Sequence, residues 1–108
     1  MIDDSIARAL DVRVVAGAAN NPLTGRHVAR TLKERDILYV PDFLANCGGL
    51  IHVGAEWYRG RGASSEQELI DDAMDSLDRA IATADREGLT PLEVAERQAL
   101  ERVEAARP

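Results

Sequence analysis

One cysteine, Cys47, and one lysine, Lys33, occur in the 108 residues. A single thiol cannot close an internal disulfide, and it suits a reducing compartment. No stretch approaches the roughly 18 apolar residues of a membrane span, and the first residues lack a basic-then-apolar leader pattern. A cytoplasmic location with no membrane partner is therefore expected. Acidic residues outnumber basic ones by 19 to 13, for a formal net charge of −6. That surplus disfavours nucleic acid and anionic lipid as partners. Internal repeats, low-complexity tracts and linkers are missing too, and Arg59-Gly60-Arg61-Gly62-Ala63-Ser64 reads only as a loop. What remains is a globular composition, 45% hydrophobic and 30% charged. Its length suits one small domain over residues 1–108 with a modest core.

Two apolar segments organise the chain. Val12 to Gly17 predicts a buried strand that ends at Asn20-Asn21-Pro22. Ile37 to Val40 predicts a second, stopped at Pro41, which has no N–H to give a ladder. Thr24 to Asp36 between them predicts a polar helix with Val28 and Leu32 on one stripe. A strand-helix-strand unit of this length predicts parallel pairing. Both following loops then leave the carboxyl edge of one sheet, where open α/β sheets take ligands. The fold class is thus α/β, a short parallel sheet of about two strands with C-terminal helices.

The flanking segments read as helices. Ile2, Ile6 and Leu10 recur four apart, which suits a short amphipathic turn. After Gly48-Gly49 a helix is expected to about Tyr58, with Leu50, Val53 and Trp57 at helical spacing. Ser65 with Glu68 forms a capping box for a long helix whose stripe is Ile70, Met74, Leu77, Ile81 and Ala84. Gly88 is a left-handed stop. Thr90-Pro91-Leu92-Glu93 then offers an N-cap, a first-turn proline and a capping glutamate. The last helix carries a small-residue stripe, Ala95, Ala99, Val103 and Ala106.

Two motifs sit at the sheet edge. Ala18-Ala19-Asn20-Asn21 brings side-chain amides that donate and accept, although asparagine pairs are also common turn residues. In Asn46-Cys47-Gly48-Gly49-Leu50, glycines at a helix start let a ligand approach free N–H groups. The same residues equally make a tight strand-to-helix turn with Leu50 and Val53 in the core. Cys47, His52 and His27 lack the companions that thiol catalysis or a zinc site needs, so no metal is expected. The acidic positions Glu66, Glu68, Asp71, Asp72 and Asp75 read as a solvated helix face.

These two segments, Val14-Val15-Ala16-Gly17-Ala18-Ala19-Asn20-Asn21 and Ile37-Leu38-Tyr39-Val40-Pro41-Asp42-Phe43-Leu44-Ala45-Asn46-Cys47-Gly48-Gly49-Leu50, carry a resemblance. The chain resembles the C-terminal part of the NAD-binding domain of the glutamate/leucine/phenylalanine/valine dehydrogenases, nearest the leucine, valine and phenylalanine branch. The resemblance implies a partial Rossmann-like domain and NAD as cofactor. It places Ala19, Asn21, Asn46 and Gly48 at the cofactor, and Asn20, Gly49, Leu50 and Val53 at the amino-acid substrate. The family usually carries a small residue where Cys47 stands and an amide where His52 stands.

The family's remaining machinery is missing from these residues. No Gly-x-Gly-x-x-Gly follows a strand, so no pyrophosphate cradle is encoded. The family uses one lysine to hold the substrate carboxylate and another to activate water, and Lys33 lies in neither matching motif. No catalytic residue is assigned. A two-stranded sheet is also too small to be stable alone. A partner is therefore expected, either a second copy in a homodimer or a separate dehydrogenase N-terminal chain. The 108-residue chain alone is expected not to reduce NAD with leucine, valine or phenylalanine. Absorbance of the reduced cofactor tests this, and turnover above a Lys33→Ala control would contradict it.

Overall fold

A computed structural model describes residues 1–58 and 65–108, so the segment read as a loop from Arg59 to Ser64 lies outside the described residues. The elements run α1 (Asp4–Ala9), β1 (Val14–Val15), α2 (Arg26–Glu34), β2 (Leu38–Tyr39), α3 (Asp42–Ala45), α4 (Gly48–Tyr58), α5 (Glu66–Glu87) and α6 (Pro91–Ala105). Helix dominates. The α/β expectation holds in coarse form, as a small, mainly helical domain with one two-stranded parallel sheet.

The β1-α2-β2 unit forms as expected, with Val14 opposite Leu38 and Val15 opposite Tyr39. Val28 and Leu32 are fully buried on α2 and anchor the main core with Ala7, Ala29, Ile37 and Tyr39. Both strands are shorter than expected. Val14 is 52% exposed and Val12 is also exposed, which corrects the buried-strand reading. The physical reason is that β1 pairs on one side only. Successive side chains leave opposite faces of a strand; Val15 faces the main core, and Val14 lies on the face that no described element covers.

The N-terminal turn is a true helix, but its buried residue is Ala7, while Ile6 is exposed. Asp3 caps α1 by accepting the Ile6 N–H at 2.8 Å. Arg35 closes the other end, donating to the carbonyls of Ala7 and Leu10 at 2.7 and 2.6 Å. Asp4 joins α1 to α2, accepting from the Thr31 hydroxyl and pairing with His27 Nε2 at 2.9 Å.

The C-terminal hairpin is as its caps predict. Ser65 with Glu68 and Thr90 with Glu93 both form complete capping boxes, and Gly88 ends α5 at φ 70. That left-handed conformation is where glycine has no Cβ to clash. The apolar stripes reach less far than their spacing suggests. Ala80, Ala84 and Val94 are buried together, but Met74, Leu100 and Val103 are exposed. Ala99 and Ala106 are exposed too. At about 1.5 Å per residue the 22-residue α5 is about 33 Å long, within an outline of 49 × 26 × 21 Å. Leu50, Val53 and Trp57 are exposed at 77%, 55% and 79%.

Charge docks α6 on α2. Arg26 pairs with Glu96 at 3.0 Å, and Arg30 pairs with Glu93. The Thr90 main-chain N–H is the main reason the Glu93 carboxyl sits below its ordinary value, with Arg30 adding to it. The Thr31 hydroxyl does the same for Asp4, aided by the charges of His27 and Arg8. Both groups hold protons less readily folded than unfolded. Their contribution to stability is therefore present above the unfolded carboxylate value of about 4, and is lost as pH falls through it toward the folded value. The urea midpoint is expected to drop over that window. Glu93→Gln, which keeps the cap and removes the titration, is expected to flatten the drop, and an unchanged profile in that variant would contradict this.

Candidate functional site

The site begins with the direction of the strands. Because β1 and β2 are parallel, the turn after Val15 and the short helix after Tyr39 emerge at the same end of the sheet. The chain turns sharply at Asn21, whose φ is 48. Asparagine visits this left-handed region more readily than most side chains. The turn is then tied to the N-terminus, where Ile2 N–H donates to Pro22 O at 2.6 Å and Thr24 N–H to Ile2 O at 2.9 Å.

Helix α3 was not anticipated. Pro41 and Asp42 open it and Asn46 closes it as the C-cap. This single turn carries Asn46 back to the first loop. Its Nδ2 donates to Asn20 Oδ1 at 2.7 Å and to Ala18 O at 3.4 Å. The two motifs thus meet through their amides. Asn20 keeps an Nδ2 donor and Asn46 an Oδ1 acceptor with no protein partner among the described residues. A ligand that offers one acceptor and one donor side by side, as a carboxamide does, matches that pair.

The structure brings Asn20 and Asn46 into contact and leaves Ala19, Asn21, Gly48, Gly49, Leu50 and Val53 on the accessible surface beside them. A Cβ built on Gly48 or Gly49 would meet nothing within 4 Å. The first turn of α4 is therefore open to close approach. The exposure of Leu50 and Val53 removes their reading as core residues.

Asp42 is a site residue that sequence reasoning missed. Its Oδ2 accepts the Asn21 main-chain N–H at 2.9 Å, and its Oδ1 faces the Tyr39 hydroxyl at 3.5 Å. Tyr39 is buried, which, with the nearby Asp42 charge, raises its hydroxyl pKa and keeps it a proton donor. The local signal for Asp42 was a Pro-Asp helix start. Its partner across 21 residues of sequence had none.

Cys47 and His52 have separate partners. The Cys47 thiol donates to Leu44 O at 3.4 Å, and His52 Nδ1 contacts Glu66 Oε1 at 3.0 Å. Among the described residues no group of three or more His, Cys, Asp or Glu is placed to hold a metal ion. No described helix is long and apolar enough to cross a membrane. A hollow of about 360 Å³ lies on another side of β2, against Lys33, Ile37, Ile81 and Leu89, and neither motif lines it.

Comparison with known proteins places this geometry. The family model described as Glutamate/Leucine/Phenylalanine/Valine dehydrogenase matches residues 1–107. A phenylalanine dehydrogenase of Bacillus thermotolerans is 36% identical over 107 residues, covering 97% of this chain and 27% of that protein. A leucine dehydrogenase of Bacillus subtilis is 33% identical over 106 residues, covering 98% of this chain and 29% of that protein. The crystal structure of a glutamate dehydrogenase from Peptoniphilus asaccharolyticus superposes with a TM-score of 0.78 at 27% identity, over 97% of this chain and 28% of that one. The chain spans less than a third of the length of these relatives. A match along almost all of its residues, by sequence and by shape, means that the chain belongs to the glutamate/leucine/phenylalanine/valine dehydrogenase family.

Proposed function

We propose that these residues form the nicotinamide-facing and amino-acid-facing wall of an NAD-dependent amino-acid dehydrogenase, a Rossmann-like segment acting in oxidative deamination of a branched-chain or aromatic amino acid. The observation that carries the reading is the Asn46–Asn20 hydrogen bond at 2.7 Å, which joins both family motifs beside an open glycine turn. In this reading Ala19, Asn21, Asn46 and Gly48 face the cofactor, and Asn20, Gly49, Leu50 and Val53 face the substrate. The residues fit the nicotinamide end, because a carboxamide pairs with one free amide donor and one free amide acceptor. They do not fit the pyrophosphate, since no Gly-x-Gly-x-x-Gly lies in the sequence and backbone N–H cradles of that kind hold it. When bound, nicotinamide takes up hydride. The role of this chain is to orient the ring and to line the side-chain pocket with Leu50 and Val53. The pyrophosphate cradle and the lysines must come from residues outside these 108.

Titration of the 15N-labelled chain tests the reading. Nicotinamide mononucleotide and NAD are expected to bind about equally, with Kd of order millimolar, and to shift the amides of Asn20, Asn46, Gly48 and Gly49. AMP is expected to leave those amides in place. Shifts elsewhere, or micromolar NAD affinity, would contradict it.

A second reading is a non-catalytic dimerising or ligand-binding module derived from that fold, and the exposure of Val14, Trp57, Leu100 and Val103 favours its dimerising form. Burying such surface in a two-fold pair is the commonest route to an oligomer. Sedimentation at micromolar concentration is expected to show a homodimer under this reading. A monomer that unfolds cooperatively would overturn it.

A further inference from the structure

We propose that Asp42 is the positioning residue of the asparagine turn, its carboxylate holding Asn21 so that Asn20 and Asn46 meet where ligand is received. The inference rests on the site reading above for its function, and on geometry alone for its structural part.

The turn is held at three points. Downstream, Pro22 and Thr24 bond to Ile2. Upstream, the Asn46 side chain bonds Asn20 and Ala18. Asp42 holds the middle, at 2.9 Å from the Asn21 nitrogen. It alone of the three brings a formal charge, and charge-assisted hydrogen bonds to a main-chain N–H are the stronger class. It also acts where the backbone is least favourable, at the positive φ of Asn21. Releasing that N–H lets the residue relax toward negative φ, which swings the preceding peptide and carries Asn20 off Asn46.

Asp42 is itself well placed to be rigid. It directly follows buried Pro41, shortly after β2 ends at Tyr39, and it lies in the first turn of α3, the same turn that ends at Asn46. Movement of α3 therefore moves both contacts to the first loop together. Both carboxylate oxygens are turned toward protein groups, Oδ2 to Asn21 and Oδ1 to the Tyr39 hydroxyl. That arrangement suits a group that positions others and does not touch ligand. Asp42, Asn21 and Tyr39 line a hollow of about 320 Å³ whose other charged groups are Arg26 and Glu96, which pair with each other at 3.0 Å.

Amide exchange and ligand titration of labelled protein test this. In Asp42→Ala, exchange at Asn21 is expected to accelerate about tenfold or more, as for a lost local restraint, while Val28 and Leu32 in α2 keep wild-type exchange. The affinity for nicotinamide mononucleotide is expected to weaken severalfold in the same variant. Asp42→Asn keeps an acceptor oxygen without the charge and is expected to restore both in part. Unchanged Asn21 exchange in Asp42→Ala overturns the proposal, as does unchanged affinity alongside faster exchange. If mononucleotide fails to shift the wild-type amides, the site reading falls, and the exchange result still decides whether Asp42 pins the turn.

Discussion

Parallel pairing between β1 and β2 is the constraint on which the site depends. Two residues from each strand make the ladder, and α2 makes the crossover that parallel strands require. Val28 and Leu32 hold that crossover against the strands from within the core. Were the strands antiparallel, the asparagine turn and the glycine turn would lie at opposite ends of the sheet and Asn46 could not reach Asn20. A four-residue ladder thus sets the position of every candidate contact, although it contributes few of the domain's hydrogen bonds.

Such a small sheet needs support, and the helices provide it in two ways. Apolar contact is concentrated in α2 against α1 and the strands, and in a smaller cluster of Ala80, Ala84 and Val94 between α5 and α6. Ion pairs bridge the two regions, Arg26 with Glu96 and Arg30 with Glu93. Exposed pairs of this kind are worth at most about 1 kcal/mol each, so they orient the hairpin more than they hold it. Thr90 is buried and caps α6 beside Arg30's partner, which couples the start of the last helix to the face of the second.

What could be read in the sequence was local. The capping boxes at Ser65 and Thr90, the stop at Gly88 and the stripe of Val28 and Leu32 depend on residues within a turn or two of each other. Burial along an element depends on what covers it, and that is not local. Val14, Leu50, Val53, Trp57 and Val103 sit at spacings that fit a core, yet each is exposed because no described element packs over it. The meeting of Asn20 with Asn46 was legible through strand direction. The hydrogen bond from Asn21 to Asp42 was not, because it depends on where one turn of α3 swings a carboxylate.

The exposed indole of Trp57 has an optical consequence. It is the sole tryptophan in the chain, and it lies on α4 with Leu50 and Val53, away from the buried clusters. An indole so exposed is expected to emit as a solvated ring already in the folded state. Fluorescence is therefore nearly blind to unfolding of the core, and responds instead to whatever comes to rest against α4.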